Sequence, residues 1–190
     1  MEQNELYPIF LKTQQLETLI VGGGFVALEK LSFLLKSSPN SKVTMVSTFF
    51  REETQALANK FGIKMVINKY DSSFLKNKHM VIATTDNVDV NVQVYKDCKQ
   101  RNVLVNVADN PPYCDFFMGG IVTKGNVKIA ISTNGKSPTT AKRLRQFFEE
   151  IIPEDINELV QNLNKFRKTI KGNFENKVVQ LNQLTKSLIS

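Results

Sequence analysis

Apolar residues follow two rhythms along this chain. Short continuous apolar runs bounded by turn residues alternate with stretches in which apolar positions recur every three or four residues. The first rhythm suits strands buried on both faces, and the second suits amphipathic helices. Residues 18–21 form an apolar strand running into Gly22-Gly23-Gly24, and residues 26–35 have helical spacing. Residues 42–47 read as a second strand, 51–61 as a helix ended by Gly62, and 63–67 as a third strand. Residues 79–85 make a fourth strand, Asp86 or Asn87 caps a helix running to about Gln100, and residues 103–108 make a fifth. Strands separated by helices predict an α/β fold over residues 1–110, a Rossmann-type parallel sheet with right-handed crossovers. Ligands of such sheets lie beyond the carboxyl ends of the strands. Gly22, Ser47, Thr84 and Asp109 fall at those ends.

The pattern then changes. Asn110-Pro111-Pro112 interrupts the chain, and two strands follow at 120–123 and 127–132, with Lys124-Gly125-Asn126 as their hairpin turn. Ser137-Pro138 is a helix cap followed by proline at the first helical position, which starts a helix through about Ile151 that Pro153 stops. From Glu154 onward the chain reads as helical and polar, with Ile156, Leu159, Val160, Leu163 and Phe166 on one stripe. The organisation expected is a Rossmann domain at 1–110, a small α+β segment at 111–153, and a helical tail at 154–190.

The glycine turn carries the first chemistry. Gly22 and Gly24, with Ala27 in the third small position, fit the G-x-G-x-x-G/A pattern of dinucleotide sites. The first glycine permits the tight turn, the second lets backbone approach the pyrophosphate, and the small third residue lets the helix pack on the strand. Sheets that bind NAD usually place an acid at the end of the second strand. Here that exit reads Val46-Ser47-Thr48-Phe49-Phe50-Arg51. Ser47 or Thr48 can substitute for the acid, and Arg51 leaves NADP open.

Composition narrows the rest. A chain of 190 residues with 42% hydrophobic content holds one domain, or one with an appendage. No apolar run approaches a membrane span, and the acidic, polar N-terminus is wrong for a signal. Cys98 and Cys114 form no Cys-x-x-Cys and have no histidine companion, so no metal site or disulfide framework is expected, and a reducing cytoplasm is. The net charge of +7 favours anionic ligands. No arginine-rich arm or basic aromatic helix points to nucleic acid.

Three groups are candidates for the remaining chemistry. Asp109 ends the fifth strand, where a carboxylate can take a proton from a substrate or merely cap the turn before the prolines; the sequence leaves both open. Residues 132–140 gather hydroxyls, Lys136 and a helix start, so Thr133, Lys136 and Ser137 form an anion cradle that Lys142, Arg143 and Arg145 can extend. The alternative is an ordinary capped helix with a basic, solvated face. His79 lies at the wrong strand end and reads as structural, Cys98 as packing, and Cys114 as a buried thiol. Phe116 and Phe117 are expected in the core, the alternative being that they face a flat ligand.

These residues, in this order, resemble the siroheme synthase N-terminal family of precorrin-2 dehydrogenases, some of them also sirohydrochlorin ferrochelatases. The matching segments are Tyr7-Pro8-Ile9-Phe10-Leu11, Leu19 to Ala27, Ala83-Thr84-Thr85-Asp86, Val105-Asn106-Val107-Ala108-Asp109, and Ala130 to Pro138. The resemblance spans roughly residues 6 to 153. It implies oxidation of precorrin-2 to sirohydrochlorin with NAD as hydride acceptor and Asp109 as the key catalytic residue. It also implies cofactor contacts from Phe25, Val26, Thr48 and Phe49, and a tetrapyrrole site near Thr133. A homodimer built through the segment after the Rossmann domain is implied as well. A polycarboxylate substrate fits the basic balance. Iron insertion by the same frame remains an alternative, as does a non-catalytic NADH-sensing regulator.

Overall fold

The structure is a computed structural model that describes residues 3–186. Its contacts divide the chain into two compact units. One runs up to Met118 and includes Asn134–Lys136; the other comprises Gly119–Thr133 and the chain from Ser137 onward.

The first unit is a five-stranded parallel sheet. Its strands are β1 (Glu17–Val21), β2 (Lys42–Ser47), β3 (Lys64–Ile67), β4 (Met80–Ala83) and β5 (Leu104–Val107), in the order β3-β2-β1-β4-β5. Helices α1 (Phe25–Ser37), α2 (Glu52–Lys60) and α3 (Val88–Gln100) form the crossovers. Alternating residues of β1 face opposite cores, as the period-2 pleat requires. Leu19 and Val21 pack with Val81, Val105 and the α3 residues Val94 and Cys98. Ile20 packs with Met45, Ile82 and Leu31 and Leu35 of α1. Leu19, Ile20, Leu31 and Ile82 are fully buried. Each such side chain contributes about 1.5–3 kcal/mol relative to exposure. Coverage on both faces explains why these strands read as unbroken apolar runs.

Strand order reverses at β1, with β2 on one side and β4 on the other, so the crevice expected of such sheets opens at the carboxyl ends of these strands. Strand edges differ from the apolar runs by a residue or two. Thr84 and Thr85 leave β4, because the Thr84 amide and hydroxyl both donate to the Val21 carbonyl, each at 2.8 Å, and end the ladder. Asn87, not Asp86, caps α3 by accepting from the Val90 amide at 3.1 Å.

The second unit begins with a hairpin of β6 (Gly120–Lys124) and β7 (Val127–Ile131). It continues into α4 (Pro138–Ile151), which packs on β6. The helical tail consists of two helices. α5 (Ile156–Thr169) and α6 (Phe174–Thr185) are separated at Gly172, whose φ of 113° no helix accommodates, and Asn173 caps α6 through the Asn176 amide at 3.0 Å. The stripe residues Ile156, Leu159, Val160 and Leu163 are half-buried and Phe166 is exposed. The expected tail beyond residue 186 lies outside the described residues. Among the described residues, no helix is long and apolar enough to cross a membrane.

Candidate functional site

The glycine turn is joined to its neighbours at both ends. Gly22 has φ of 124°, and a Cβ there would collide with the Thr84 hydroxyl and approach its carbonyl carbon and oxygen at 3.1 Å. Its amide donates to Val46 O at 2.9 Å. The Gly23 carbonyl accepts from the Arg51 amide at 3.0 Å, which holds the β2 exit against the turn. Gly24 differs. It is the N-cap residue of α1, makes no side-chain cap, and has only Phe49 Cζ, at 4.0 Å, near the place of a Cβ. No side chain caps the first-turn amides of Phe25 and Val26. Helix N-termini carry about half a positive charge and free N–H groups, so an anion fits there. Ala27, fully buried, permits the close helix packing expected of it. Phe25 and Phe49 are both exposed beside the turn.

At the β2 exit, Ser47 is half-buried and its hydroxyl accepts from the Phe49 amide at 3.4 Å; Thr48 is exposed. Arg51 meets Glu53 in a fork, Nε donating to Oε2 at 3.3 Å and Nη2 to Oε1 at 3.2 Å. Hydrogen bonding from Arg51 holds the Glu53 carboxyl below the usual carboxylate range, and the same bond raises Arg51.

The β4 exit is held by a residue not singled out from the sequence. Asn91 of α3, only 8% exposed, accepts from the Thr85 hydroxyl at 2.7 Å and the Thr85 amide at 3.3 Å. Its Nδ2 donates to the Thr85 carbonyl at 2.8 Å. A poor helix former inside the α3 pattern was the available signal, since such a residue is there for its side-chain hydrogen bonds.

Asp109 follows β5 in the left-handed region, at φ of 57°, and is exposed. Aspartate and asparagine are the non-glycine residues that visit this region, and Asn77, Asn102 and Asn134 adopt it here as well. The turn it begins is closed by backbone: Asn110 N donates to Val107 O at 3.2 Å and Tyr113 N to Asn110 O at 3.0 Å. No hydrogen bond or ion pair engages the Asp109 side chain, so it caps nothing among the described residues. The following loop is tied back to β5. Asp115 accepts from the Val105 amide at 3.1 Å and pairs with Lys99 at 2.6 Å. Asn106 Nδ2 donates to Phe116 O at 2.8 Å, and the Cys114 thiol donates to Val107 O at 3.2 Å. Cys114 is half-buried, which pushes its thiol up, and Phe116 and Phe117 are also half-buried, Phe116 against the core. His79 sits at the opposite strand end, its Nδ1 accepting from the Glu17 amide at 2.9 Å. Cys98 is fully buried, and burial pushes its thiol up to about 12.

The second unit holds most of the expected anion cradle. The Thr133 hydroxyl accepts from the Ser137 amide at 3.2 Å and donates to its carbonyl at 3.1 Å, closing the loop. Ser137 caps α4 by accepting from the Thr140 amide at 3.2 Å, so part of that helix start is already satisfied. Lys142 and Arg143 are exposed on the first turns, Arg143 donating to Gln146 at 3.1 Å. Arg145 does not extend the cradle: its guanidinium contacts both Glu149 carboxylate oxygens at 2.6 Å. Lys136 belongs with Asn134 and Gly135 to the first unit. Among the described residues no three His, Cys, Asp or Glu side chains converge as metal ligands.

An NAD(P)-binding family model matches residues 9–120, and the sirohaem biosynthesis protein central model matches residues 124–151. A siroheme synthase of Pseudoalteromonas atlantica is 36% identical over 170 residues, which is 90% of this chain and 36% of the relative. One from Nitrosococcus oceani is 37% identical over 164 residues, 86% of this chain and 35% of the relative. The chain thus spans about a third of the length of the curated relatives it matches. Among solved structures, "SirC, precorrin-2 dehydrogenase" shares the fold with a TM-score of 0.75 at 22% identity, covering 94% of this chain and 89% of that one. The first model alone covers more than half of the chain, so the protein belongs to the putative NAD(P)-binding family that this model describes.

Proposed function

We propose that the protein oxidises precorrin-2 to sirohydrochlorin with NAD, as the names of its relatives suggest. NAD bound at the glycine turn would supply the hydride acceptor. The chain's own residues do the rest. Gly24 and the amides of Phe25 and Val26 hold the pyrophosphate; Ser47, Thr48 and Phe49 line the β2 exit; Thr84, packed on Gly22, and the Asn91 clamp shape the β4 exit. Asp109 takes the proton that must leave as the hydride leaves. Lys136, Lys142 and Arg143 attract substrate carboxylates through screened positive charge, while Thr133 and Ser137, whose hydroxyls are engaged within their own loop, hold its shape. A homodimer fits the exposed apolar face of α4, where Leu144, Phe147 and Ile151 recur at helical spacing.

The carrying observation is Asp109: an exposed carboxylate in a left-handed turn just past β5, with no hydrogen bond or ion pair on its side chain among the described residues. Asp109→Asn tests the reading, because asparagine tolerates the left-handed region but is a poor proton acceptor. Turnover should fall by about 100- to 10,000-fold while NADH affinity stays near that of the parent. Near-normal turnover in the folded variant would end the proton-acceptor assignment.

A further inference from the structure

Arg51 lies at the β2 exit of the glycine crevice, and its position is fixed by backbone. Its amide donates to Gly23 O at 3.0 Å, within the turn that the pyrophosphate reading uses. In Rossmann sheets the second-strand exit receives the adenosine ribose; an acid there suits the free 2′-hydroxyl, and an arginine suits the 2′-phosphate. Residues 47–50 supply no acid. The arginine is present, but both of its bonds run to Glu53, at 3.3 Å and 3.2 Å.

We propose that Glu53 sets the dinucleotide preference by holding the Arg51 guanidinium in a fork, so that the site accepts NAD and rejects NADP. The carboxylate takes the Nε–Nη2 edge of the guanidinium and leaves a 2′-phosphate only the Nη1–Nη2 edge. The phosphate would also bring its charge toward the Glu53 carboxylate, and like charges at close range oppose binding. NAD carries no group that competes for the fork, so its binding leaves the pair intact. The two side chains are about half exposed, at 46% and 59%, so neither serves the core and both tolerate replacement.

This inference rests on the dinucleotide reading of the glycine turn, and the test separates the two. NADH and NADPH are titrated against the parent, Glu53→Gln, Arg51→Gln and the double variant, following nicotinamide fluorescence at low and moderate salt. No catalysis is required. The parent should prefer NADH. Glu53→Gln should raise NADPH affinity about fivefold, in line with an exposed ion pair, and leave NADH affinity within about twofold. The gain should shrink with salt and vanish when Arg51→Gln is added. An unchanged NADH-to-NADPH ratio in Glu53→Gln, a gain that survives loss of Arg51, or a parent that prefers NADPH would each overturn the selector. A parent that binds neither dinucleotide would overturn the reading of the glycine turn itself, and the selector with it.

Discussion

Replacing Gly24 by aspartate should separate the stability of the glycine turn from its function. Gly24 has φ of −83° and ψ of −160°, a conformation open to any residue, and the nearest atom to an added Cβ is Phe49 Cζ at 4.0 Å. Nothing has to move to admit the side chain. As the N-cap residue of α1, an aspartate would accept from the amides of Val26 or Ala27, which no side chain now engages. Aspartate exceeds glycine as an N-cap by about a few tenths of a kcal/mol, and its charge adds about 0.3–1 kcal/mol against the helix dipole. The fold should therefore be as stable as the parent, or more so. Binding should move the other way, because the new carboxylate takes the donors that the pyrophosphate needs. It also repels each phosphate charge: at roughly 5 Å and an effective dielectric near 20 this amounts to about 3 kcal/mol. That corresponds to a loss in affinity of roughly 200-fold. Thermal unfolding followed by circular dichroism gives the stability, and titration with NADH gives the affinity. A folded variant that binds NADH like the parent would refute the placement of the phosphates at the head of α1. Gly22 offers no such separation, since any Cβ there collides with Thr84.

Other expectations follow from single side chains. Asn91→Ala removes three bonds to Thr85 and should cost about 2–3 kcal/mol while weakening NADH binding severalfold; a loss below about 0.5 kcal/mol in urea titration would show that the β4 exit holds itself. Neutralising Lys142 and Arg143 together should weaken tetrapyrrole binding most at low salt and leave NADH binding intact; binding flat in salt would make them solvated surface only. Burial raises the Cys98 thiol from 9.0 to about 12. Its contribution is thus complete below pH 9 and is lost as pH climbs toward 12, by about 4 kcal/mol. Burial, with Asp97 adding, raises Tyr70 as well and steepens the slope. Urea midpoints across that window should fall less in Cys98→Ala than in the parent, and equal slopes would remove the thiol from the explanation.

The sheet was legible because its strands are covered on both faces. Leu19 to Val21, Val43 to Val46 and Met80 to Ala83 are apolar at nearly every position, and the helices between them keep their spacing. Their ends were less legible, because hydropathy continues where the ladder stops: Thr84 and Thr85 look like strand but turn away on bonds to Val21 and Asn91. Of the site, the glycine turn was plain from residue type, since only glycine fits against Thr84. The conformation of Asp109 was not, because φ at a single aspartate depends on how residues 110–116 are tied back to β5. The pairing of Arg51 and Arg145 was equally hidden. Both looked like free positive charge, and both are held by glutamates whose contact depends on side-chain direction.

The central claim is that this crevice moves a hydride from precorrin-2 to NAD. The direct measurement mixes the protein with precorrin-2 and NAD under anaerobic conditions and follows the sirohydrochlorin spectrum and NADH absorbance together. The account predicts that both rise in equal amounts, at a rate proportional to protein concentration and abolished in Gly24→Asp. Protein that binds NADH at the glycine turn yet forms neither product from precorrin-2 above the protein-free rate would contradict it.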